Sequence, residues 1–377
     1  RDEVMLFMAT KTLEGIQGIY DPVEGGFFRY SVTEDWKIPH YEKMLEVNAG
    51  LLLNYLRAYQ VTGKKAFRET AEGVLGYITT RLFDPERGCF LGSQDADEEY
   101  YKFGREERSK RRAPAIDRTV YADWNAKAAE AFLEASLLLD ERWREHALRA
   151  LDFLLANCCR DGRVYHYYAK GPELPGLLRD QVHVAKALLQ AYIITGKGRY
   201  LEAAQAITGH FLGEYADPEG GFFDTVERPE AIGDLKKRTK PLVENAAATD
   251  LLLTLHHLTG REEYKAKAEG ALTAFTGEYK NYRWFASTYA MAVERLLQPV
   301  QVIVLGTRGD PRTELLLKEA LRAFEPRKVI IPLDPARDKE RIEKLGYPLP
   351  EAPVAYICKG TVCLPPVKKP EEMAGKL

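Results

Sequence analysis

Residues Asp21–Tyr30 read DPVEGGFFRY, and the phrase returns as DPERGCF over Asp84–Phe90 and DPEGGFFD over Asp217–Asp224. A looser copy, RDGRVYHYY, runs over Arg160–Tyr168. Asp-Pro followed by glycine is turn chemistry, because proline presets φ and glycine supplies positive φ. The aromatic residues that follow suit a short strand or hairpin. Each copy follows an amphipathic stretch and precedes a polar loop leading into another. A turn recurring every one to two helix pairs marks a helical-hairpin repeat.

The segments between the turns share a form. Five of them open with acids and aromatics and run on as Ala/Leu-rich helices: PHYEKMLEVNAGLLLNYLRAY from Pro39, TVYADWNAKAAEAFLEASLLL from Thr119, LLRDQVHVAKALLQAYIITG from Leu177, KPLVENAAATDLLLTLHHLTG from Lys240 and RWFASTYAMAVERLL from Arg283. A more charged helix follows each of the first four, over roughly 64–82, 141–157, 198–214 and 261–276. Thr62-Gly63, Thr195-Gly196 and Thr259-Gly260 provide C-cap glycines. A helix that is apolar nearly all round is buried, and one with a charged face is peripheral. The pattern predicts a mainly α fold over 1–297, an (α/α)6-type toroid with inner and outer helices alternating. The opening helix, about Asp2 to Gln17, is of the outer type. With five inner helices counted, the expectation is a barrel whose first inner helix lies upstream.

At Gln298-Pro299 the composition changes. VQVIVLG from Val300, KVIIPLD from Lys328 and VAYICKG from Val354 are short, β-branched, buried-type strands, and helices are predicted between them. This order predicts a small, parallel α/β appendage over 298–377. LGTRGD carries no phosphate-loop or dinucleotide fingerprint, and no cofactor is expected.

A net charge of −2 gives no electrostatic case for nucleic acid or an anionic membrane. The basic run Arg105–Arg112 reads as a solvated loop. No stretch reaches the ~18 apolar residues of a membrane span. Five cysteines do not make a disulfide framework, which fits a reducing, cytoplasmic setting. Cys358 and Cys363 read first as packing thiols, with a redox-active pair as the sharper option. The acidic run Asp95–Glu99 lacks the spacing of a calcium loop, so no metal is expected.

GIYDPVEGGFFRYSVTEDWKIPHYEKMLEVNAGLL closely resembles a segment of YyaL-type proteins, bacterial relatives of the spermatogenesis-associated thioredoxin-like proteins. GSQDADEEYYKF, ADWNA and CKGTVCLPPV resemble further motifs of that family, so the resemblance extends over essentially the whole chain. It implies a toroid similar to sugar epimerases and six-hairpin glycosidases, preceded in the family by a thioredoxin-like domain. These residues contain no C-x-x-C motif, so they resemble the toroid portion, with the thioredoxin-like domain an upstream partner.

Stacked repeats bring equivalent positions to one face, and in this chain the inner-helix starts are loaded. His40 and Glu42, in PHYEKM, are the leading catalytic candidates, with Asp123 and Asp180 as partners. Arg29, Tyr30, Trp36, Asp95, Asp97, Trp124, Asn125, His183, Glu244, Asn245 and Trp284 are candidates for binding a substrate. Flat rings suit the apolar face of a sugar, and acids and amides suit its hydroxyls. The same residue types also cap helices, tie loops and anchor cores. Two function classes stay open. One is a carbohydrate-active or carbohydrate-binding toroid, epimerase/isomerase-like or glycoside-hydrolase-like, using acid–base chemistry. The other is a non-catalytic scaffold serving a thioredoxin-like domain.

Overall fold

The computed structural model describes residues 2–360 and 362–377, which fall into two compact units. Unit 1 is Arg1–Arg160 with Tyr165–Pro175, and unit 2 is Asp161–Val164 with Gly176–Leu377.

In unit 1, α1 (Glu3–Ile16) leads to α2 (Leu45–Thr62) and α3 (Lys65–Tyr77), then the short helices α4 (Glu98–Tyr101) and α5 (Arg105–Ser109). A second hairpin follows, α6 (Ala122–Leu138) and α7 (Trp143–Asn157). Helix α2 packs on its partner α3 and also on α6, which packs on α7. Burial separates the two helices of the second hairpin as the composition predicts, but not those of the first, where six of 18 residues are buried in α2 and six of 13 in α3. Twelve of the 17 residues of α6 are buried, against six of the 15 in α7. Alanine on several faces lets α6 approach neighbours all round, whereas α7 keeps one charged face in water.

Unit 2 repeats the scheme with α8 (Leu178–Thr195) on α9 (Gly198–Glu214), and α10 (Leu242–Thr259) on α11 (Glu262–Thr273). Helix α10 packs on α8 and on α12 (Ser287–Leu297). Gly63, Gly196 and Gly260 close α2, α8 and α10 with φ of 68°, 69° and 73°, the left-handed cap expected of each Thr-Gly pair.

Two copies of the returning phrase fold alike, while the loosest copy turns instead through Asp161 and Gly162 at φ 51° and 78°. The Asp21 N–H donates to Gly26 O at 2.9 Å and the Asp217 N–H to Gly221 O at 2.9 Å, while each Asp side chain accepts from the N–H two residues on. The turn is held from the neighbouring helix by an amide. The fourth residue of each of α2, α6, α8 and α10 is Asn48, Asn125, Gln181 or Asn245. Its side chain bonds both the N–H and the C=O of one strand residue, Phe27, Phe90, Val164 or Phe222 respectively, at 2.7–3.0 Å. A buried backbone pair needs partners, and this clamp supplies both from one side chain.

A cation completes two of the turns. Lys43 Nζ donates to Asp21 Oδ2 at 2.6 Å and to Gly25 O at 2.9 Å; Lys240 Nζ meets Asp217 Oδ2 at 2.8 Å and Gly220 O at 3.2 Å. Lys43 is wholly buried, over the rings of Phe28, Tyr77 and Tyr101. Burial pulls its ammonium down to about 8 against the attraction of Asp21. Burial pushes the Asp21 carboxyl up, but the charge of Lys43 and hydrogen bonds from Arg108 and Lys43 outweigh that and leave it below its ordinary value. Arg108 of α5 reaches Asp21 at 2.7 Å, so the basic run is in part an anchor rather than a wholly solvated loop.

The end of unit 2 carries α13 (Pro311–Arg322), α14 (Lys339–Lys344) and a four-stranded sheet. Val300–Leu305 is parallel to Lys328–Leu333 and antiparallel to Val354–Lys359, which pairs with Val362–Cys363. The expected all-parallel sheet is therefore mixed. After α14 the chain runs through the proline-bearing segment 346–353 and enters the third strand from the opposite end. Pro332 lies on the edge strand, where its missing N–H breaks no ladder. Cys358 and Cys363, read as packing thiols, are joined as a disulfide.

Candidate active site

In unit 1 the antiparallel pairing of Tyr167 with Tyr121 and of Tyr168 with Val120 brings the aromatic strand of the fourth turn to the start of α6. His166, next to Tyr167 on that strand, thereby comes beside Asp123. A ring nitrogen of His166 and a carboxylate oxygen of Asp123 lie within 4.8 Å of each other. Asp123 is wholly buried and His166 is half-buried. Lys127, one turn along α6, has Nζ 3.9 Å from Asp123 Oδ2 and 2.6 Å from Glu46 Oε1 of α2. The ring of Tyr121 lies 4.4 Å from that of Trp124 and 6.0 Å from that of His166. Tyr121, Trp124, Lys127 and His166 all keep partial exposure, whereas Asp123 is wholly buried.

Asp123 and Trp124 are among the residues expected from the sequence; His166, Lys127 and Glu46 are not. The available signal was the phrase RVYHYY itself: its run of aromatics predicts a strand, and a histidine inside such a strand alternates with the tyrosines that pair.

A second polar group in unit 1 surrounds the strand pair Tyr30–Ser31 and Pro39–His40. Tyr30 and His40 sit opposite each other with rings stacked at 5.0 Å, and Arg29 pairs with Glu42 at 3.0 Å. The buried Nδ1 of His40 has no hydrogen-bond partner among the described residues. Tyr41 stacks on Tyr101. Trp36, at φ 60°, lies against the backbone of Gly15 and Gly18 at the end of α1, and a methyl group on Gly18 would collide with it.

Other candidates take structural posts. The carboxylate of Asp97 caps α4, accepting from the Tyr100 N–H at 2.9 Å, and Asp95 is exposed, accepting from the Ala96 N–H. Asn125 and Asn245, read as substrate-binding, are 0% and 1% exposed and spend both amide atoms on the strand clamp.

In unit 2, Asp180 is wholly buried and accepts from the Leu177 N–H at 2.7 Å, a first-turn carboxylate beside the helix's free N–H groups. His183 is half-buried in the first turns of α8, and Glu244 lies in the first turn of α10. Trp284 is 72% exposed, next to Arg283 at φ 49°. Lys186 pairs with Asp250 at 2.9 Å, and Arg295 also reaches Asp250, an ion chain along α8, α10 and α12 that the sequence did not reveal.

Spermatogenesis-associated protein 20 of Homo sapiens is 22% identical to this chain over 97% of the chain's length, and the Rattus norvegicus protein 23% identical over 97%. The chain is a relative of spermatogenesis-associated protein 20. It spans 62% of the length of those two proteins. No family model matches it. Among solved structures, the cellobiose 2-epimerase of Spirochaeta thermophila superposes with a TM-score of 0.59 at 19% identity, over 74% of this chain and 71% of that one. A family 76 glycoside hydrolase (mannosidase) of Bacteroides thetaiotaomicron gives 0.58 at 12% identity, over 78% and 81%. A D-mannose isomerase gives 0.53 at 16%, over 77% and 71%. At these identities the likeness shows the fold alone: the α/α toroid class of helical hairpins, epimerase-like and six-hairpin glycosidase-like. No described helix is long and apolar enough to cross a membrane.

Proposed function

We propose that this relative of spermatogenesis-associated protein 20 is a sugar-acting domain that moves a proton beside a sugar carbonyl, the chemistry of an epimerase or isomerase. The observation that carries the reading is the half-buried His166 within 4.8 Å of the buried Asp123 carboxylate, beside the rings of Tyr121 and Trp124. An imidazole titrates near neutrality and is suited to take a proton from carbon and return it. A buried carboxylate next to it holds the ring and favours the imidazolium that forms. In an open-chain aldose, His166 removes the proton on C2, and the electron pair moves onto the carbonyl oxygen as an enediolate. Lys127 places positive charge near that oxygen. Return of the proton to the other face of C2 gives the epimer; return to C1, with the O2 hydroxyl proton passing to O1, gives the ketose. The rings hold the apolar side of the sugar, and Arg29, Glu42 and His40 offer donors and acceptors for hydroxyls. Neighbours of the same fold named for cellobiose epimerisation and mannose isomerisation make aldoses the first substrates to try.

The test is a panel of free aldoses, ketoses and short mannosides incubated with the chain in D2O and followed by NMR. The reading expects deuterium at C2 of at least one reducing sugar, and a loss of about 10²-fold or more in Asp123→Asn and His166→Gln. Release of reducing ends from mannosides without exchange at C2 would replace proton transfer with hydrolysis. Neither exchange, cleavage nor binding across the panel would favour the scaffold role.

A further inference from the structure

The Cys358–Cys363 pair lies at the outer edge of the mixed sheet in unit 2. The two cysteines are register partners on adjacent antiparallel strands. Their environments differ sharply. Cys363 is exposed, whereas Cys358 is 5% exposed within a cluster that includes Ile303, Val329 and Ile331. The Tyr347 hydroxyl lies 3.5 Å from Cys358 Sγ. A disulfide sulfur carries no proton, so the hydroxyl is the donor in the oxidised state. The strand holding Cys358 pairs along its length with Val300–Leu305, six residue pairs, while the outer strand Val362–Cys363 contributes two. Opening the S–S bond therefore leaves the inner three strands paired. We propose that Cys358–Cys363 is a thiol–disulfide exchange site, in which an external dithiol attacks the exposed sulfur of Cys363.

The electrons balance as a two-electron exchange. A thiolate of the dithiol forms a bond to Cys363 Sγ, the Cys358–Cys363 bond breaks, and its electron pair leaves on Cys358 Sγ. The Tyr347 hydroxyl donates to the thiolate so formed, which then takes a proton from solvent. The reagent's second thiolate attacks the reagent's first sulfur, now bound to Cys363, and releases Cys363 as a thiolate, which is protonated in turn. The pair gains two hydrogens and the dithiol loses two as it closes to its own disulfide. Exchange goes faster when the attacked sulfur is accessible and the leaving thiolate is stabilised, and this arrangement divides those two roles between the cysteines.

The experiment uses the whole chain, purified without reductant, with dithiothreitol as the probe and alkylation mapped by peptide mass. The site expects no label on Cys358 or Cys363 before the probe and label on both after a brief native exposure, with Cys89 and Cys158 unlabelled throughout. In Cys358→Ser, oxidised glutathione should trap Cys363 as a mixed disulfide. In Cys363→Ser, Cys358 should react at least about tenfold more slowly, because access governs the rate. Tyr347→Phe should slow reduction of the wild-type pair about fivefold, the loss of one hydrogen bond to the leaving sulfur. Two free thiols before reduction, a bond opened by dithiothreitol only after denaturation, or equal rates for the two single-cysteine variants would each overturn the proposal.

Discussion

A single side chain, Asn245, answers for two buried backbone groups at once. Its Oδ1 accepts from the Phe222 N–H at 2.7 Å, and its Nδ2 donates to Phe222 O and Pro241 O at 2.9 and 2.8 Å. An alanine there removes the partners of an N–H and a C=O that water does not reach. An unsatisfied buried group costs about 1–3 kcal/mol. Asn245→Ala should therefore destabilise unit 2 by about 3 kcal/mol or more, read as a lower denaturation midpoint with an unchanged denaturant slope. Asn48→Ala and Asn125→Ala should cost similar amounts in unit 1, since their bonds to Phe27 and Phe90 are the same. A midpoint unmoved in all three would mean that the strand residues find other partners. Asn125 and Asn245 looked like ligands from the sequence because an amide at an inner-helix start has one composition and two possible uses. Only the clamp's distances distinguish them. The spacing from Lys43 to Asn48 and from Lys240 to Asn245 was the available hint, because one repeated interval places both turn-holding groups.

At the scale of a helix, glycine gives opposite expectations within one turn of α3. A Cβ on Gly73 would stand 2.0 Å from the Tyr20 hydroxyl, and the turn glycine Gly25 presses against Gly73 O. Gly76 has nothing within 4 Å of where its Cβ would be. In an open helical site alanine is better than glycine by about 0.5–1 kcal/mol. Gly76→Ala should thus raise the melting temperature, while Gly73→Ala should lower it by forcing the first DP turn off the helix. If both raised it, the close approach of turn and helix would be wrong. The helices and turns themselves were legible in the sequence, since burial pattern, cap glycines and turn residues all repeat locally. The direction of the third long strand was not. Nothing in VAYICKG says from which end the chain enters it; the preceding loop decides that. His166 was missed for a related reason. Its strand is the one copy of the turn phrase that extends to six residues and pairs with the start of an inner helix, a non-local pairing that local reading does not see.

At the scale of the whole molecule, acid sensitivity follows from groups folded without their protons. His257, near the end of α10, is pulled down to about 4 by burial first, then by the nearby cations of His256, Lys265 and Arg341. Its ordinary value is 6.5. Between those two values the unfolded chain holds a proton that the folded chain does not, so stability rises with pH across the window and is lost as pH falls through it. Fully developed, a displacement of that size is worth about 3 kcal/mol. Asp21 acts lower on the scale. Its folded value lies below the ordinary 3.8, so its contribution is present above that value and is lost only under stronger acid. His210 and His146, also lowered by burial, add slopes of the same sign. To isolate one group, the native chain and His257→Gln should be unfolded in urea at a series of pH values from 7 to 4. The other histidines contribute to both proteins and cancel in the difference. The variant should hold its stability better as pH falls from about 6.5, the gap widening toward about 3 kcal/mol near pH 4. Parallel curves would show that His257 gains its proton without cost, and that the end of α10 is open enough to hydrate it.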